Sequence, residues 1–117
     1  MNPPVIYIAG PMGNDEETEG RVMKGILAGE EVWKAGGIPL VPHLHFWWEK
    51  EHPHSWEEWL HLDEHLILRC DALFNYAPDE PSIGRDREVR FCKSKGIPAL
   101  CSMEDVLRFI EGGINAQ

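Results

Sequence analysis

An α/β fold is predicted for this 117-residue chain by three features. Apolar runs recur at Val5 to Ala9, Ile38 to Val41, Asp71 to Tyr76 and Ile97 to Cys101. Segments with the apolar spacing of helices separate them, and glycine or proline marks almost every change of element. Strands that alternate with helices build parallel sheets covered on both faces, so the expected architecture is a doubly wound, Rossmann- or flavodoxin-like parallel sheet. Right-handed crossovers give four to five strands in the order 2-1-3-4. The length predicts one domain, spanning 1–117, that buries about two-thirds of its unfolded surface in a single core.

Val5-Ile6-Tyr7-Ile8-Ala9 shows no polar alternation and stops at Gly10-Pro11, the pattern of a buried parallel strand followed by a tight loop through Met12, Gly13 and Asn14. From about Glu16 to Ala35, the spacing of Val22-Met23, Ile26-Leu27, Glu30 and Trp33 predicts an amphipathic helix closed by Gly36-Gly37. Ile38-Pro39-Leu40-Val41 is short and halted by Pro42, which suits an edge strand. Residues 43–54 lack a clean period, and Trp47, Trp48 and His52-Pro53-His54 predict a loop packed over the domain, of the length found in lids. Ser55-Trp56-Glu57-Glu58 has the pattern of a capping box and starts a helix that reaches about Arg69. After the third strand, Ser82 caps a helix ending at Lys95-Gly96. Ser102 caps a last one through Ile110, and the tail from Gly112 is expected to fray.

The formal charge of -9 and a pI of about 5.0 oppose a nucleic-acid groove or an anionic membrane surface as the main partner. A small anionic ligand remains compatible through Arg85, Arg87 and Arg90, which cluster in sequence. Cys70, Cys92 and Cys101 are odd in number, widely spaced and set in apolar or helical context, so they read as reduced core residues of a cytoplasmic protein. No basic leader precedes an apolar run, and no stretch reaches the roughly 18 apolar residues of a membrane span.

Pro78 to Glu88 crosses from strand to helix, the place where open α/β sheets bind ligands. With Ser82 at the cap, the amides of Ile83, Gly84 and Arg85 lack helical acceptors and form a natural anion site. Glu88 follows Gly84 by four residues, so no side chain stands beneath it, and it shares a face with Phe91 and Cys92 that points toward the sheet. The alternative is an ordinary capped helix with a surface glutamate. On the preceding helix Trp56, Trp59, Leu60, Leu66, Ile67 and Cys70 fall within about 60° of one line, with Asp63 at its centre. A carboxylate there requires a partner, a raised pKa or a cleft to face, and is either bonded to backbone amides of a neighbouring loop or part of a site.

In the expected strand order these residues meet at the switch point between the first and third strands, together with the loop from Tyr7 through Gly10, Pro11 and Met12 to Gly13. That loop has neither the dinucleotide fingerprint nor the lysine-serine ending of a P-loop, which argues against NAD-linked redox and nucleoside triphosphate hydrolysis. All six histidines lie between His43 and His65. His61 and His65 have the spacing of a metal pair but project opposite to Asp63, toward solvent, so no metal or other cofactor is expected. Ser82 as a nucleophile would need a histidine base that the sequence does not place nearby. Two carboxylates, an anion-binding helix end and a tyrosine remain, and paired carboxylates suit chemistry at an anomeric carbon.

Three matches carry a resemblance: Tyr7-Ile8-Ala9-Gly10-Pro11-Met12; the Asp63 to Asp71 interval, with Cys70-Asp71 opening a strand; and Ser82-Ile83-Gly84 running on to Glu88. From Val5 to Cys101 the chain resembles the nucleoside 2-deoxyribosyltransferase superfamily, which includes 2'-deoxynucleoside 5'-phosphate N-hydrolases and small phage and bacterial relatives. The resemblance implies Glu88 as the nucleophile of a glycosyl-enzyme intermediate, Asp63 as the group that orients the sugar or protonates the base, and Tyr7 beside the nucleophile. It gives Ser82 a contact to a 5'-phosphate and so favours a phosphorylated substrate, with Gly84 leaving access and Gly10, Pro11 and Met12 in the substrate loop. Where the hydrolases carry a serine and a basic residue in that loop, this chain has Pro11-Met12-Gly13. A homodimer or higher homo-oligomer is also implied, although the segment after Cys101 shows no counterpart of the residue that neighbouring subunits contribute. The expected activity is cleavage of the N-glycosidic bond of a 2'-deoxynucleotide or related nucleotide, by hydrolysis or base exchange. The alternative is a non-catalytic module of the same fold that sequesters a nucleotide or sugar-nucleotide, and a weaker third is a metal-assisted hydrolase using the histidine-rich segment.

Overall fold

Strands β1 (Val5–Ala9), β2 (Ile38–Leu40), β3 (Ala72–Asn75) and β4 (Ala99–Leu100) form one all-parallel sheet in the order β2-β1-β3-β4. The computed structural model describes residues 2–113. Helices α1 (Thr18–Lys34), α2 (His45–Glu51), α3 (Trp56–Ile67), α4 (Ile83–Lys95) and α5 (Met103–Arg108) cover the sheet, with a 3-10 turn at Pro42–Leu44 and a π-type turn at Phe109–Gly113. The expected doubly wound α/β architecture and strand order are therefore observed, with four strands among the described residues. The rest of the tail expected to fray lies outside the described residues. Among the described residues no helix is long and apolar enough to cross a membrane.

The central pair is β1 and β3, in a register that sets Tyr7 beside Leu73 and Ile8 beside Phe74. Asp71 pins the start of that pair: its carboxylate accepts from the Val5 amide at 2.8 Å, and its own amide donates to the Val5 carbonyl at 2.7 Å. Because side chains alternate along a strand, Ile6 and Ile8 point to one face and Tyr7 and Ala9 to the other. The first face packs with Ala28 and Val32 of α1, Val106 of α5 and Phe109. The second packs with Ile67 of α3, Cys70 and Cys92 of α4. Tyr7 is thereby committed to the side of the sheet that carries α3 and α4.

Three expectations are corrected. The inner face of α1 consists of Thr18, Val22, Gly25, Ala28, Gly29 and Val32, while Met23, Leu27 and Trp33 are 56%, 62% and 65% exposed. Small residues are needed there because the helix lies close to the chain beneath it: a Cβ on Gly29 would come within 2.7 Å of Val41, and one on Gly25 within 2.6 Å of the His43 ring. The segment expected as a loop is mostly helical, from His45 to Glu51, because His45 and Glu49 stand one turn apart and both engage α3. Cys101, expected in the core, is exposed just after β4, whereas Cys70 and Cys92 are buried. β1 and α4 keep their expected bounds, and the ends of the other strands and of α1, α3 and α5 are trimmed by one or two residues.

Candidate active site

Two helix caps set the angular position of the candidate carboxylates. Ser55 begins α3 with a complete capping box, its Oγ accepting from the Glu58 amide at 3.1 Å and Glu58 accepting from the Ser55 amide at 2.9 Å. Ser82 begins α4 by accepting from the Arg85 amide at 3.2 Å, and Gly96 ends it in the left-handed conformation. From those starts Asp63 and Glu88 project toward the same point under the end of β1. There the Tyr7 hydroxyl donates to Glu88 Oε2 at 2.7 Å. Tyr7 is fully buried behind Glu88 and does not reach the cavity surface; Glu88 is 7% exposed and does.

Burial makes ionisation of this group expensive. It pushes the Glu88 carboxyl up to about 8, against the stabilising Tyr7 hydrogen bond and with further upward pressure from the charge of Asp63. Burial also raises the Tyr7 phenol well above its ordinary value, and the charges of Glu88 and Asp63 add to that. Glu88 therefore holds a proton at neutral pH in the empty site, and Tyr7 remains a donor. Asp63 contributes an oxygen, Oδ1, that is shielded from solvent and has no hydrogen-bond partner among the described residues.

A cavity of about 800 Å³ opens over these groups, of the size that holds small-molecule ligands. Gly10, Pro11, Met12, Ser82 and Gly84 line it together with Asp63 and Glu88. The structure thus gathers all the sequence-nominated site residues, with Tyr7 one layer below. Gly10 is required by its neighbour: a Cβ there would lie 2.3 Å from the Tyr76 ring. Tyr76 in turn shares a 3.1 Å hydrogen bond with His43 Nε2. Burial, helped by nearby His45, lowers the His43 imidazole to about 4, so it stays neutral. The Met12 to Asp15 loop is held by Arg21 of α1, which donates to the Met12 carbonyl at 3.2 Å and to Asp15 Oδ1 at 2.8 Å.

The arginine cluster expected to serve an anion is largely committed elsewhere. Arg85 is buried and donates to Asn75 Oδ1 at 3.1 Å, to the Ala77 carbonyl at 2.8 Å, to the Glu80 carbonyl and to Asp86, so it clamps the 77–81 loop onto the end of β3. Arg87 pairs with Glu57 at 2.9 Å and Glu64 at 3.4 Å of α3, and Arg90 is exposed. Arg85 and Arg21 are the arginines that line the cavity. Of the three amides expected free at the start of α4, that of Arg85 is capped by Ser82; those of Ile83 and Gly84 have no acceptor among the described residues.

Sequence reasoning missed the far wall, where α2 leans on α3. The His45 ring stacks on Trp59 with centroids 4.9 Å apart, and Trp48 meets both rings edge-on. Glu49 Oε1 accepts from Trp59 Nε1 at 2.6 Å and from the His54 amide at 2.7 Å, and these donors hold its carboxyl below the ordinary range. The four-residue spacing of His45 and Glu49, matched by that of Trp59 and Asp63, was the signal that could have found this contact. Trp56, placed on the apolar stripe by its angle, sits half-exposed at the cavity rim. His61 and His65 face solvent, and among the described residues no three histidine, cysteine or acidic side chains are grouped to hold a metal ion.

Chemically, the arrangement offers a buried carboxyl held by a phenol, a second carboxyl beside it, a hydroxyl and two amides at a helix start, and an aromatic wall. Comparison of the chain with protein-family models, with curated proteins and with solved structures returned no match.

Proposed function

We propose that this chain cleaves the N-glycosidic bond of a 2'-deoxynucleotide or related nucleotide, with Glu88 as the nucleophile and water or a second base as acceptor. The observation that carries the reading is the Tyr7–Glu88–Asp63 group at the floor of a ligand-sized cavity. In retaining glycosidic chemistry one carboxylate attacks the anomeric carbon while a neighbouring acid protonates the leaving group. Here a Glu88 oxygen attacks C1', the C1'–N bond breaks, and its electron pair leaves with the base, which takes up a proton. Attack of the acceptor on C1' then breaks the C1'–O bond to Glu88, and the proton the acceptor loses passes to Asp63, which gave its own to the departing base. The proton that Glu88 holds at rest has to move first. Its transfer to Asp63 produces the nucleophile and the acid in one step, and the Tyr7 hydroxyl stabilises the carboxylate that remains. Ser82 and the open amides of α4 supply donors for a 5'-phosphate, and Trp56 and Trp59 supply apolar surface for a base.

Incubation with a panel of deoxynucleoside monophosphates, followed by chromatography for free base, tests this reading. Release that disappears in Glu88→Ala supports it; no release from any of them, or release unchanged by Glu88→Ala, removes it. A second reading, a non-catalytic nucleotide-binding module, is favoured by the burial that raises the Glu88 carboxyl to about 8, because a nucleophile has to be ionised and a binding site elsewhere in the cavity does not need it. A binding module predicts ligand-dependent thermal stabilisation that survives Glu88→Ala, without turnover.

A further inference from the structure

Helix α2 presents a two-point contact to α3: His45 and Glu49, one turn apart, face Trp59 and Asp63, also one turn apart. The Glu49 half of this contact is made, through Trp59 Nε1. The His45 half is aimed but open. His45 Nδ1 lies 3.4 Å from Asp63 Oδ1, with the two side chains 19% and 13% exposed. That separation is beyond a formed N–H···O hydrogen bond, which explains why the Asp63 oxygen is shielded and still without a partner. The imidazole is not free to turn elsewhere at low cost, because it is stacked on Trp59 and bordered by the edge of Trp48. Besides Asp63, the titratable groups around it are Glu49 and His54, which share the cavity wall, and His43, which feels it electrostatically.

We infer that His45 is a positioning residue for Asp63: its Nδ1–H closes on Asp63 Oδ1 when ligand fills the cavity, and so fixes which Asp63 oxygen faces the leaving group. This deepens the proposed glycosidic function and rests on it. Hydrogen bonds that matter to a reaction are often long in the empty site and tighten in the complex, since they align only around the reacting atoms. A partner carried on α2 also ties the orientation of the acid to the seating of that helix against α3.

The test has a structural arm and a kinetic arm. In the structural arm, nitrogen-15 correlation spectra of the histidine rings are recorded on the wild type and on Asp63→Leu. The expected result is a hydrogen on His45 Nδ1 in the wild type that shifts to Nε2 when the carboxylate is removed. A His45 whose Nδ1 is bare in the wild type overturns the inference, whatever the protein catalyses. In the kinetic arm, His45→Phe keeps the stack on Trp59 and loses the donor, while His45→Asn restores an N–H near the position of Nδ1. The expected outcome is a fall in kcat of tenfold or more for His45→Phe with KM changed less than threefold, and partial recovery in His45→Asn. Full activity in His45→Phe with loss in His45→Asn would mean that His45 only packs, and would overturn the inference. If the wild type releases no base, the glycosidic reading fails on its own terms and the structural arm still decides the His45–Asp63 contact.

Discussion

Replacing Glu88 with glutamine should make the protein more stable, by an amount that grows with pH. An unburied glutamate titrates at 4.5 and Glu88 at about 8, so between those values the folded protein holds a proton that the unfolded chain has lost. In that window the folded state is penalised by about 1.4 kcal/mol for every pH unit. The contribution is complete below pH 4.5, is lost as pH rises to about 8, and amounts to about 5 kcal/mol across the interval. A whole domain is stabilised by only about 5–15 kcal/mol, so this single carboxyl would dominate the alkaline limb of the stability curve. Glutamine keeps an acceptor for the Tyr7 hydroxyl and cannot ionise. Urea unfolding of the wild type and Glu88→Gln, at intervals from about pH 5 to about pH 9, reads the difference directly. The buried His43, held near 4, destabilises both proteins equally toward acid and cancels in the comparison. Near pH 5 the two should differ by about 1 kcal/mol, and above pH 8 the glutamine variant should lead by several. A difference that stays constant with pH would refute the claim that burial raises Glu88, and with it the proton inventory on which the proposed mechanism depends.

Two further outcomes follow from the clamps around the cavity. Arg85→Met preserves bulk but leaves the Ala77 and Glu80 carbonyls and Asn75 without their shared donor, which should cost about 3 kcal/mol and lower Tm by roughly 10 °C in a calorimetric scan. A Tm within about 2 °C of the wild type would show that the 77–81 loop holds itself. Glu49→Ala removes the one oxygen that joins α2 to both Trp59 and His54, so amide hydrogen exchange over 45–51 should quicken by about tenfold while the sheet is unaffected. Unchanged exchange there would mean that ring stacking alone keeps α2 in place.

The features legible in the sequence were those with a strong period or a chemically costly exception. Asp63 stood out because a carboxylate on an apolar helix stripe demands compensation, and Glu88 because it shares a face with Cys92, which is buried. Val5 to Ala9 read as a central strand because nothing in it alternates with polar residues. What stayed hidden had no such mark. Between Val22 and Val32 the inner face of α1 is glycine and alanine, which carry little hydrophobic signal, so the larger Met23, Leu27 and Trp33 drew attention to the wrong side. Helix α2 is seven residues long and aromatic on several faces, so no single stripe emerges from it. Arg85 resembled its charged neighbours because its acceptors include two loop carbonyls and the Asn75 side chain, whose positions are set only once β3 and α4 are packed.

The alternation of side chains along β1 makes the sheet a partition. Ile6 supports the structure from the α1 and α5 side and Tyr7, next to it in the chain, turns to the chamber where Asp63 and Glu88 meet, while Ile8 packs in the first layer and also lines the cavity over those carboxyls. Ile6 and Tyr7, neighbours in sequence, are thus assigned to separate layers. Changes around Ile6 in the first layer act on stability, whereas a change at Ile8 also alters the cavity wall. Changes in the second layer act on the protons of the reacting groups at once. Ile8 is where the two layers touch, so drift in the first reaches the cavity through its side chain.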